Sequence, residues 1–429
     1  MMRWRWFGLL LLTGSWAGAE EPGTEVRLAI VVSRHGINAS KSNPATAAYA
    51  AQAWPAPGGP AEHLTPHGEQ LIAHLGAFYR ALYVQRGVLS GETATDLARI
   101  YFRADSDPRT LETARDLAKG LLPGASPAVA SLREKKTDPL FRPNLILADR
   151  PDYALARAAV LGRIGGSPEA VVIAHRDLFE ALQRVMLGAD GTMPAGKVLI
   201  LSQPPRVGPQ LASHIVSLGG SLRTGMVLTD ALLSEYVDAQ PMAQVGWGRV
   251  SAAQLPQLLE LHALYDDLTQ RTFYPAQVQG SNLAFHLLRT LEQAAEARAN
   301  PDALGGPGHR LLVVVGHDTN LANLGGLMGL SWIIPGGPMN PTLHGSALLF
   351  ELLHRPDGRF EVRASYLAQT MEQMRASSVP TLAAPPAIVP VFVPGCSGSG
   401  PTYAAPLAAF AARVRELIDP RFVLPDTLN

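Results

Sequence analysis

The sequence predicts an α/β protein in which helices cover a sheet of buried strands and a mainly helical segment is inserted. Nearly continuous apolar, β-branched runs occur near both ends of the chain, at residues 26–33 and 311–315. Such runs are typical of strands buried on both faces of a parallel sheet. Between about residues 150 and 300, alanine- and leucine-rich helical patterns dominate instead. The predicted division is therefore an α/β domain, with approximate bounds of 20–150 and 276–429, and a helical domain at 151–275.

The elements of the predicted α/β domain follow in order along the chain. Thr65 and Pro66 open a helix, with Thr65 as its N-cap and Pro66 in the first helical position. Residues 99–103 form a second strand, and a polar turn leads into a helix at about 109–119, which Gly120 is placed to end. The remaining strands are predicted at residues 311–315, 346–353 and 360–367.

The composition limits the classes of protein to which the chain can belong. It has 429 residues, 47% of them hydrophobic, which allows a large buried core and excludes disorder throughout. The 36 basic and 36 acidic residues balance, which argues against a protein that coats nucleic acid or an anionic membrane. The single cysteine, Cys396, allows no internal disulfide, and the sequence has no zinc-type Cys/His cluster.

The first residues are typical of an export signal. Arg3 and Arg5 precede a short apolar run at residues 7–12, and Ala17-Gly18-Ala19 supplies the small residues that a signal peptidase requires. The apolar run is too short to cross a bilayer. The sequence therefore predicts that residues 1–19 are a signal peptide cleaved after Ala19. The mature protein is expected to be periplasmic or secreted and to have no membrane segment.

Chemically capable side chains follow three of the predicted strands. The three segments are Ser33-Arg34-His35-Gly36, Asp105-Ser106-Asp107-Pro108-Arg109 and Gly316-His317-Asp318-Thr319-Asn320. In open α/β sheets, ligands bind beyond the carboxyl ends of the strands, so we expect these segments to meet. Arginine forks match phosphate oxygens, and histidine can act as a nucleophile or as a hydrogen-bond donor. Asp318 can act as an acid if it retains its proton.

This combination of residue types predicts phosphoryl transfer. The reaction needs positive charge around the phosphoryl oxygens, a nucleophile in line and an acid for the departing oxygen. A neutral imidazole can be the nucleophile and form a covalent phosphohistidine, so neither a metal nor a cofactor is required. Each motif alone is weak, because a histidine after a strand more often satisfies a turn and Arg109 could simply form a surface pair. The prediction depends on the three strand ends occurring together.

Longer segments resemble the histidine acid phosphatases, the larger branch of the histidine phosphatase superfamily. Arg34-His35-Gly36 matches the opening motif of the family, and His317-Asp318 matches its closing motif. Segments similar to those of bacterial periplasmic phytases and glucose-1-phosphatases occur in the same order along nearly the whole chain: Leu64-Thr65-Pro66-His67-Gly68-Glu69, Asp138-Pro139-Leu140-Phe141, Gly246-Trp247-Gly248-Arg249 and residues 316–326. The resemblance implies a three-layer, phosphoglycerate-mutase-like α/β domain and an inserted α-helical domain, with the active site between them.

The resemblance also implies a role for each candidate residue. His35 would be the phosphorylated nucleophile, and Asp318 would be the proton donor. Arg34, Arg109 and His317 would bind the phosphate of the substrate.

The sequence departs from the family's pattern at two points. The opening motif normally continues with a second arginine and a proline, where this chain has Asn38 and Ser40. Asn38 can still donate a hydrogen bond to the phosphate, but a neutral bond is only about half as strong as a charged one. We therefore expect weaker phosphate stabilisation, which Lys41 could offset. Bacterial relatives also carry several disulfides, whereas this chain has only Cys396.

The favoured function is an exported phosphomonoester hydrolase that acts on phytate (inositol hexakisphosphate) at acid pH. The pH preference is expected because Asp318 needs its proton, and an unshifted aspartate loses it near pH ~4. Phytate also needs cations beyond the reacting phosphate. Lys41 and Thr319 are candidates for this outer pocket, and the sequence offers further cations at Arg133, Lys135, Lys136 and Arg142.

Two alternatives remain open at the level of sequence. Thr319 is typical of the phytases, but residues 240–245 resemble the glucose-1-phosphatases, so a glucose-1-phosphatase or a general sugar-phosphate phosphatase is the first alternative. The second is a protein that binds phosphate esters without turning them over, and only Asn38 supports it. In each case we expect a monomer whose partner is a small phosphate monoester, with no role for nucleic acid or membrane.

Overall fold

The computed structural model describes residues 21–39, 44–55, 58–208, 214–426 and 428. The predicted signal peptide and Lys41 lie outside the described residues. The strands are β1 Glu25–Arg34, β2 Ile100–Ala104, β3 Val129–Ala130, β4 Arg206–Gly208, β5 Ser217–Gly219, β6 Leu311–Gly316, β7 Ala347–His354, β8 Phe360–Ala368, β9 Ala387–Val391 and β10 Ala405–Pro406.

The helices range in length from a single turn of four residues to six or seven turns. They are α1 Pro44–Ala47, α2 Pro66–Gln85, α3 Thr93–Leu97, α4 Pro108–Leu121, α5 Pro143–Ile146, α6 Tyr153–Arg163, α7 Pro168–Ala174, α8 Arg176–Met186, α9 Ser221–Val237, α10 Leu255–Leu258, α11 Glu260–Thr269, α12 Phe273–Glu296, α13 Asp318–Met328, α14 Met371–Arg375 and α15 Leu407–Leu417. Short 3₁₀ turns lie at Ile200–Ser202, Val245–Gly248 and Pro420–Phe422.

A single mixed sheet organises both ends of the chain. The strand order is β10-β8-β7-β1-β6-β2-β3, and β9 also pairs with β8. The central strands β1, β6, β2 and β3 are parallel, whereas β7 runs antiparallel to β1 and β8 antiparallel to β7. The carboxyl ends of β1, β6 and β2 therefore reach the same edge of the sheet.

The sheet is the middle of three layers. Along β1, Leu28, Ile30 and Val32 belong to one hydrophobic core, and the alternating Ala29 and Val31 belong to another. Because successive side chains of a strand point to opposite faces, the two cores lie on opposite sides of the sheet. Residues of α2 and α4 complete one core, and residues of α12, α13 and α15 contribute to the other. Both faces of β1 and β6 are thus buried, as their apolar sequences predict.

The predicted helical segment contains α6 to α11 and, among its described residues, only the short antiparallel pair β4–β5 as sheet. The predicted boundary at residue 275 falls in the first turn of α12, and the division into two domains stays a prediction. None of the helices in the described ranges is both long and apolar enough to cross a membrane.

The predicted elements form within one or two residues of their expected bounds, with one error in α4. Thr65 caps α2, because its Oγ1 accepts a hydrogen bond from the Gly68 N–H at 3.0 Å. Gly120 was predicted to end α4, but the helix continues to Leu121. The reason is packing, because a Cβ on Gly120 would lie 2.2 Å from the Ala73 carbonyl oxygen of α2. The glycine allows two helices to approach closely and does not terminate one.

Candidate active site

The three chemically capable segments meet where β1, β6 and β2 end. Arg34 pairs with Gly316 across β1 and β6, and Ala104 pairs with Val315 across β2 and β6. The residues that follow each strand are therefore neighbours in space. The centroids of the His35 and His317 rings lie 5.6 Å apart. Both histidines are buried, and so is Arg34.

His35 is held at a fixed position by its own backbone. Its N–H donates to the Gly316 carbonyl at 3.0 Å, and its carbonyl accepts from the Gly345 N–H at 3.0 Å. The ring Nδ1 lies 2.8 Å from the Gly36 carbonyl oxygen, which can only accept, so Nδ1 carries a hydrogen and the neutral ring has its lone pair on Nε2. Burial lowers the pKa of His35 well below its usual value, and Arg109 and Arg34 lower it further. A neutral imidazole with a free Nε2 is chemically able to attack phosphorus.

Arg34 connects three strand-end and loop residues. Its Nη1 donates to the Thr342 carbonyl at 2.5 Å, and its Nη2 lies 3.3 Å from both Asp318 Oδ2 and His344 Nε2. Burial raises the pKa of Asp318, but nearby positive charge, of which Arg34 is the largest source, outweighs burial and holds that pKa well below its usual range. Asp318 is consequently ionised in the free enzyme. An acid role requires that it gain a proton when substrate binds.

His317 lies among carboxylates and guanidinium groups. Its Nε2 is 2.6 Å from Asp105 Oδ2 and 2.7 Å from Arg142 Nη2. Since an Arg142 N–H can only donate, Nε2 cannot serve both, and we assign its hydrogen to the buried Asp105 carboxylate. Nδ1, 3.3 Å from Arg109 Nη2, then accepts from that arginine. Burial lowers the pKa of His317, and the hydrogen bond that His317 donates to Asp105 opposes this shift without reversing it.

Arg142 and Asp107 complete this part of the site. Arg142 Nη2 lies 2.6 Å from Asp107 Oδ2 and 3.1 Å from Asp105 Oδ2, and Arg109 Nη2 lies 2.8 Å from Asp107 Oδ2. Of the outer cations considered from the sequence, Arg142 therefore points inward. Asp105 and Asp107 stood in the predicted strand-end segment but were assigned no role. The sequence signal that could have identified them is their Asp-x-Asp spacing directly before Arg109.

The same carboxylates are the group among the described residues that could hold a metal ion. Asp105, Asp107 and His317 bring three ligand atoms within 4.8 Å of one another. Arg142 Nη2, however, lies at hydrogen-bond distance from all three groups. Its guanidinium already supplies the positive charge that these carboxylates need, so a cation could bind only by displacing it.

Two helices of the helical segment also reach the site, which sequence analysis missed. Asp230 of α9 has its Oδ1 3.8 Å from Arg34 Nη2 and 3.7 Å from His262 Nδ1, and His262 of α11 has its Nε2 3.3 Å from Asp266 Oδ2. Burial opposes protonation of His262, but Asp266 and Asp230 raise its pKa to about 9. No local motif marks either residue, because the contact of Asp230 with Arg34 and that of His262 with Asp230 arise from the packing of distant segments.

The other predicted site residues are less directly placed. The Asn38 side chain is half-buried, and its amide donates to the Ala39 carbonyl at 3.4 Å. The Thr319 backbone N–H donates to Asp318 Oδ1 at 2.7 Å, so Thr319 orients the carboxylate through its main chain. His344, which was not predicted, contributes a third buried ring, 6.1 Å from that of His35.

Comparison with known proteins identifies the family of this chain. The sequence pattern of the histidine phosphatase superfamily (branch 2) matches residues 25–155. Phytase AppA of Escherichia coli is 31% identical over 418 residues, covering 95% of this chain and 96% of the relative. A glucose-1-phosphatase of Salmonella typhimurium is 24% identical over 408 residues, covering 91% and 92% of the two chains.

This chain is also similar in fold to solved structures of bacterial phytases. The apo form of the Hafnia alvei phytase has a TM-score of 0.85 and 28% identity, covering 95% of this chain and 100% of that one. The Citrobacter braakii phytase has a TM-score of 0.82 and 28% identity, covering 93% and 100%. The fold class and the family predicted from the motifs are thus confirmed. The chain belongs to branch 2 of the histidine phosphatase superfamily and is a phosphoric monoester hydrolase.

Proposed function

We propose that this protein is an exported acid phosphatase that hydrolyses phytate through a phosphohistidine on His35. The observation that carries the proposal is the buried His35 ring, whose Nδ1–H donates to the Gly36 carbonyl and leaves Nε2 as the nucleophilic atom, and whose pKa is lowered by burial and by the charges of Arg109 and Arg34. Arg34 and Arg109 would bind the phosphoryl oxygens, and His317 would join them once the negative charge of the bound phosphate raises its proton affinity and places a hydrogen on Nδ1. Asn38 would add a neutral donor if its side chain turned inward.

In the first step, the Nε2 lone pair of His35 attacks phosphorus, so an N–P bond forms and the P–O ester bond breaks. Asp318 donates a proton to the departing oxygen. In the second step, water attacks the phosphohistidine while the Asp318 carboxylate accepts one of its protons. The N–P bond breaks, inorganic phosphate is released and neutral His35 is regenerated.

The substrate itself can supply the proton that Asp318 lacks. A phosphate monoester has a second pKa of about 6, so at pH 4–5 it binds as a monoanion that still carries one proton. The phosphoryl charge also offsets that of Arg34, and this raises the proton affinity of Asp318. The acid preference predicted from the sequence is retained, but its cause is the ionisation of the substrate instead of a proton stored on the free enzyme.

Phytate is the proposed substrate because relatives named phytases are the more similar ones. Phytase AppA is 31% identical to this chain, whereas each of the two glucose-1-phosphatases is 24% identical to it. The Hafnia alvei phytase has also been solved with myo-inositol hexakis sulphate. For location, the charged start, apolar run and Ala17-Gly18-Ala19 support export to the periplasm or the medium.

The test is phosphate release by the mature protein at pH about 4–5 with a metal chelator present, comparing phytate with an aryl phosphate. We expect faster turnover of phytate. Turnover of the aryl phosphate alone would indicate a small-monoester phosphatase, and no turnover of either would indicate a binding protein.

Variants test the roles of the two central residues. His35→Ala is expected to abolish turnover, and Asp318→Asn to lower the kcat for phytate about 10²–10⁴-fold. The loss in Asp318→Asn should be much smaller for an aryl phosphate with an acidic leaving group, which departs without a proton. His309→Ala is the matched control, because His309 precedes β6 at the opposite edge of the sheet. An equal loss for both leaving groups would contradict the proton-donor role.

A further inference from the structure

Helix α9 presents one partly exposed stripe of side chains. Its buried residues, among them Leu222, Leu228 and Leu232, lie on the other side of the helix. Arg223 and Asp230 both belong to the stripe. Asp230 is the seventh residue after Arg223, so the two lie on the same face of the helix, two turns apart. At 1.5 Å per residue, the distance between them along the helix axis is about 10 Å.

The position of Asp230 shows which way this stripe faces. Asp230 Oδ1 lies 3.8 Å from Arg34 Nη2, and that same nitrogen lies 3.3 Å from Asp318 Oδ2. The face of α9 that carries Asp230 is therefore a wall of the active site. Arg223 lies on the same wall, two turns nearer the N-terminus of the helix.

Electrostatics support this placement of Arg223. Burial lowers the pKa of His214, while the charge of Asp318 raises it and that of Arg223 lowers it. Both charges thus act on one partly buried ring, which requires both to be near it. Arg223 therefore lies in the same region of the protein as Asp318, the proposed acid, and not on a remote surface.

Arg223 differs from the other arginines of the site in having no partner within the described residues. Arg34 donates to Thr342, and both Arg109 and Arg142 contact Asp107. The Arg223 side chain is exposed, and no hydrogen bond or ion pair joins it to another described residue. Its five N–H donors are consequently available to an anionic ligand.

We propose that Arg223 binds a second phosphate of a multiply phosphorylated substrate while the reacting phosphate lies at His35. This inference rests on the proposed function, which it makes more specific. The Arg223 guanidinium is carried on a flexible side chain about 10 Å along the helix from Asp230. It is therefore placed to bind another phosphate of the same substrate molecule and not the phosphate that reacts at His35. Arg223 would thereby supply, at a different position, a positive charge that Asn38 lacks.

The first test measures binding without turnover. Calorimetric titration of the mature protein with inositol hexakissulfate at constant ionic strength gives the Kd. Arg223→Gln is expected to raise this Kd about five-fold or more, and Arg223→Lys to raise it less because it keeps the charge. Arg115→Gln is the matched control, because Arg115 is an exposed arginine of α4. A Kd for Arg223→Gln within two-fold of the wild type would overturn the proposal.

The second test separates this inference from the proposed function. In Arg223→Gln, the KM for phytate should rise at least about five times more than the KM for an aryl phosphate, which has only one phosphate to bind. Equal changes in the two KM values would contradict the role of Arg223. If the wild type fails to hydrolyse phytate but Arg223→Gln still weakens binding of the hexakissulfate, the proposed substrate is wrong and the anion site at Arg223 stands.

Discussion

At the scale of single residues, the central requirement is that His35 remain unprotonated in acid. A histidine in water has a pKa of about 6.5, so at pH 4.5 only about one ring in a hundred would be neutral. Burial lowers the pKa of His35, and Arg109 and Arg34 are the next largest causes. The arginines proposed to bind phosphate therefore have a second effect, because they keep the nucleophile available at the pH at which the substrate is a monoanion.

Arg109→Gln tests this second effect. Removing the positive charge makes protonation of His35 less unfavourable, so its pKa rises and the acidic limb of the pH profile of kcat/KM moves to higher pH. We expect a shift of about half a unit or more, measured with an aryl phosphate from pH 3 to 7 and normalised to each enzyme's maximum. Arg115→Gln should leave the limb in place. A lower rate with an unchanged limb would show that Arg109 only binds phosphate.

The residue types of the site could be predicted from the sequence, but their states could not. His35, His317 and Asp318 stand next to predicted strand ends, and they were selected because such motifs occur at three strand ends together and resemble those of a known family. That Asp318 is ionised depends on Arg34 lying 3.3 Å away, and that His317 donates to Asp105 depends on both being buried together. Such distances follow from packing, which the sequence does not display.

At the scale of secondary-structure elements, the crossing of α2 and α4 sets how the Arg109 helix meets the sheet. A Cβ on Gly120 would lie 2.2 Å from the Ala73 carbonyl oxygen and 2.4 Å from the Ala77 backbone nitrogen. On the partner helix, a Cβ on Gly76 would lie 2.3 Å from the Leu117 carbonyl oxygen. Because all these atoms are backbone, the two helices could accommodate a side chain only by moving apart.

Gly120→Ala is accordingly expected to destabilise the protein by about 1–3 kcal/mol, the usual cost of overpacking a core. Gly162→Ala is the matched control, since Gly162 lies in α6 and a Cβ there would meet nothing within 4 Å. That substitution should stabilise the protein by roughly 0.5 kcal/mol, because alanine favours helix and restricts the unfolded chain. Urea denaturation of the three proteins measures both effects. Equal changes at the two positions would contradict the close-packing role of Gly120.

Most elements could be predicted because their signals are local. Thr65 and Pro66 mark the start of α2, and the uninterrupted apolar run of β6 marks a strand buried on both faces. Gly120 was misjudged for the opposite reason. A glycine near the end of a helical pattern usually ends the helix, and only the position of α2 shows that here it serves a helix crossing.

At the scale of the whole molecule, a buried ion cluster joins three distant parts of the chain. Arg103 of β2 is fully buried, and its Nη2 lies 2.7 Å from Asp138 Oδ2 and 3.3 Å from Asp426 Oδ1. Asp138 begins the turn that leads to Arg142, whose N–H donates to the Asp138 carbonyl at 2.9 Å. The C-terminal segment is thus tied to the loop that carries a site arginine. Asp426 is 323 residues from Arg103, and no sequence pattern predicts a pairing at that separation.

Replacing Arg103 with methionine should destabilise the protein strongly and in a pH-dependent manner. The change leaves two buried carboxylates without a cation, which typically costs about 3–5 kcal/mol when they are charged. Burial already raises the pKa of Asp138 in the presence of Arg103, and without that arginine the folded-state pKa of Asp138 rises further above the unfolded value of about 3.9. A carboxyl group whose pKa is raised by folding binds more protons in the folded state than in the unfolded state. The free energy of unfolding therefore falls as the pH rises from the unfolded-state pKa to the folded-state pKa.

Urea denaturation of Arg103→Met at pH 4.5 and 7 should therefore show a larger loss at pH 7. Adding Asp138→Asn and Asp426→Asn to the same variant removes the uncompensated charges and should recover much of the stability at pH 7 while abolishing the pH dependence. Arg359→Met is the control for losing an arginine, because Arg359 pairs with Asp357 on the surface and its loss should change little. A penalty for Arg103→Met that is equal at both pH values would mean that lost packing, and not buried charge, accounts for the role of this residue.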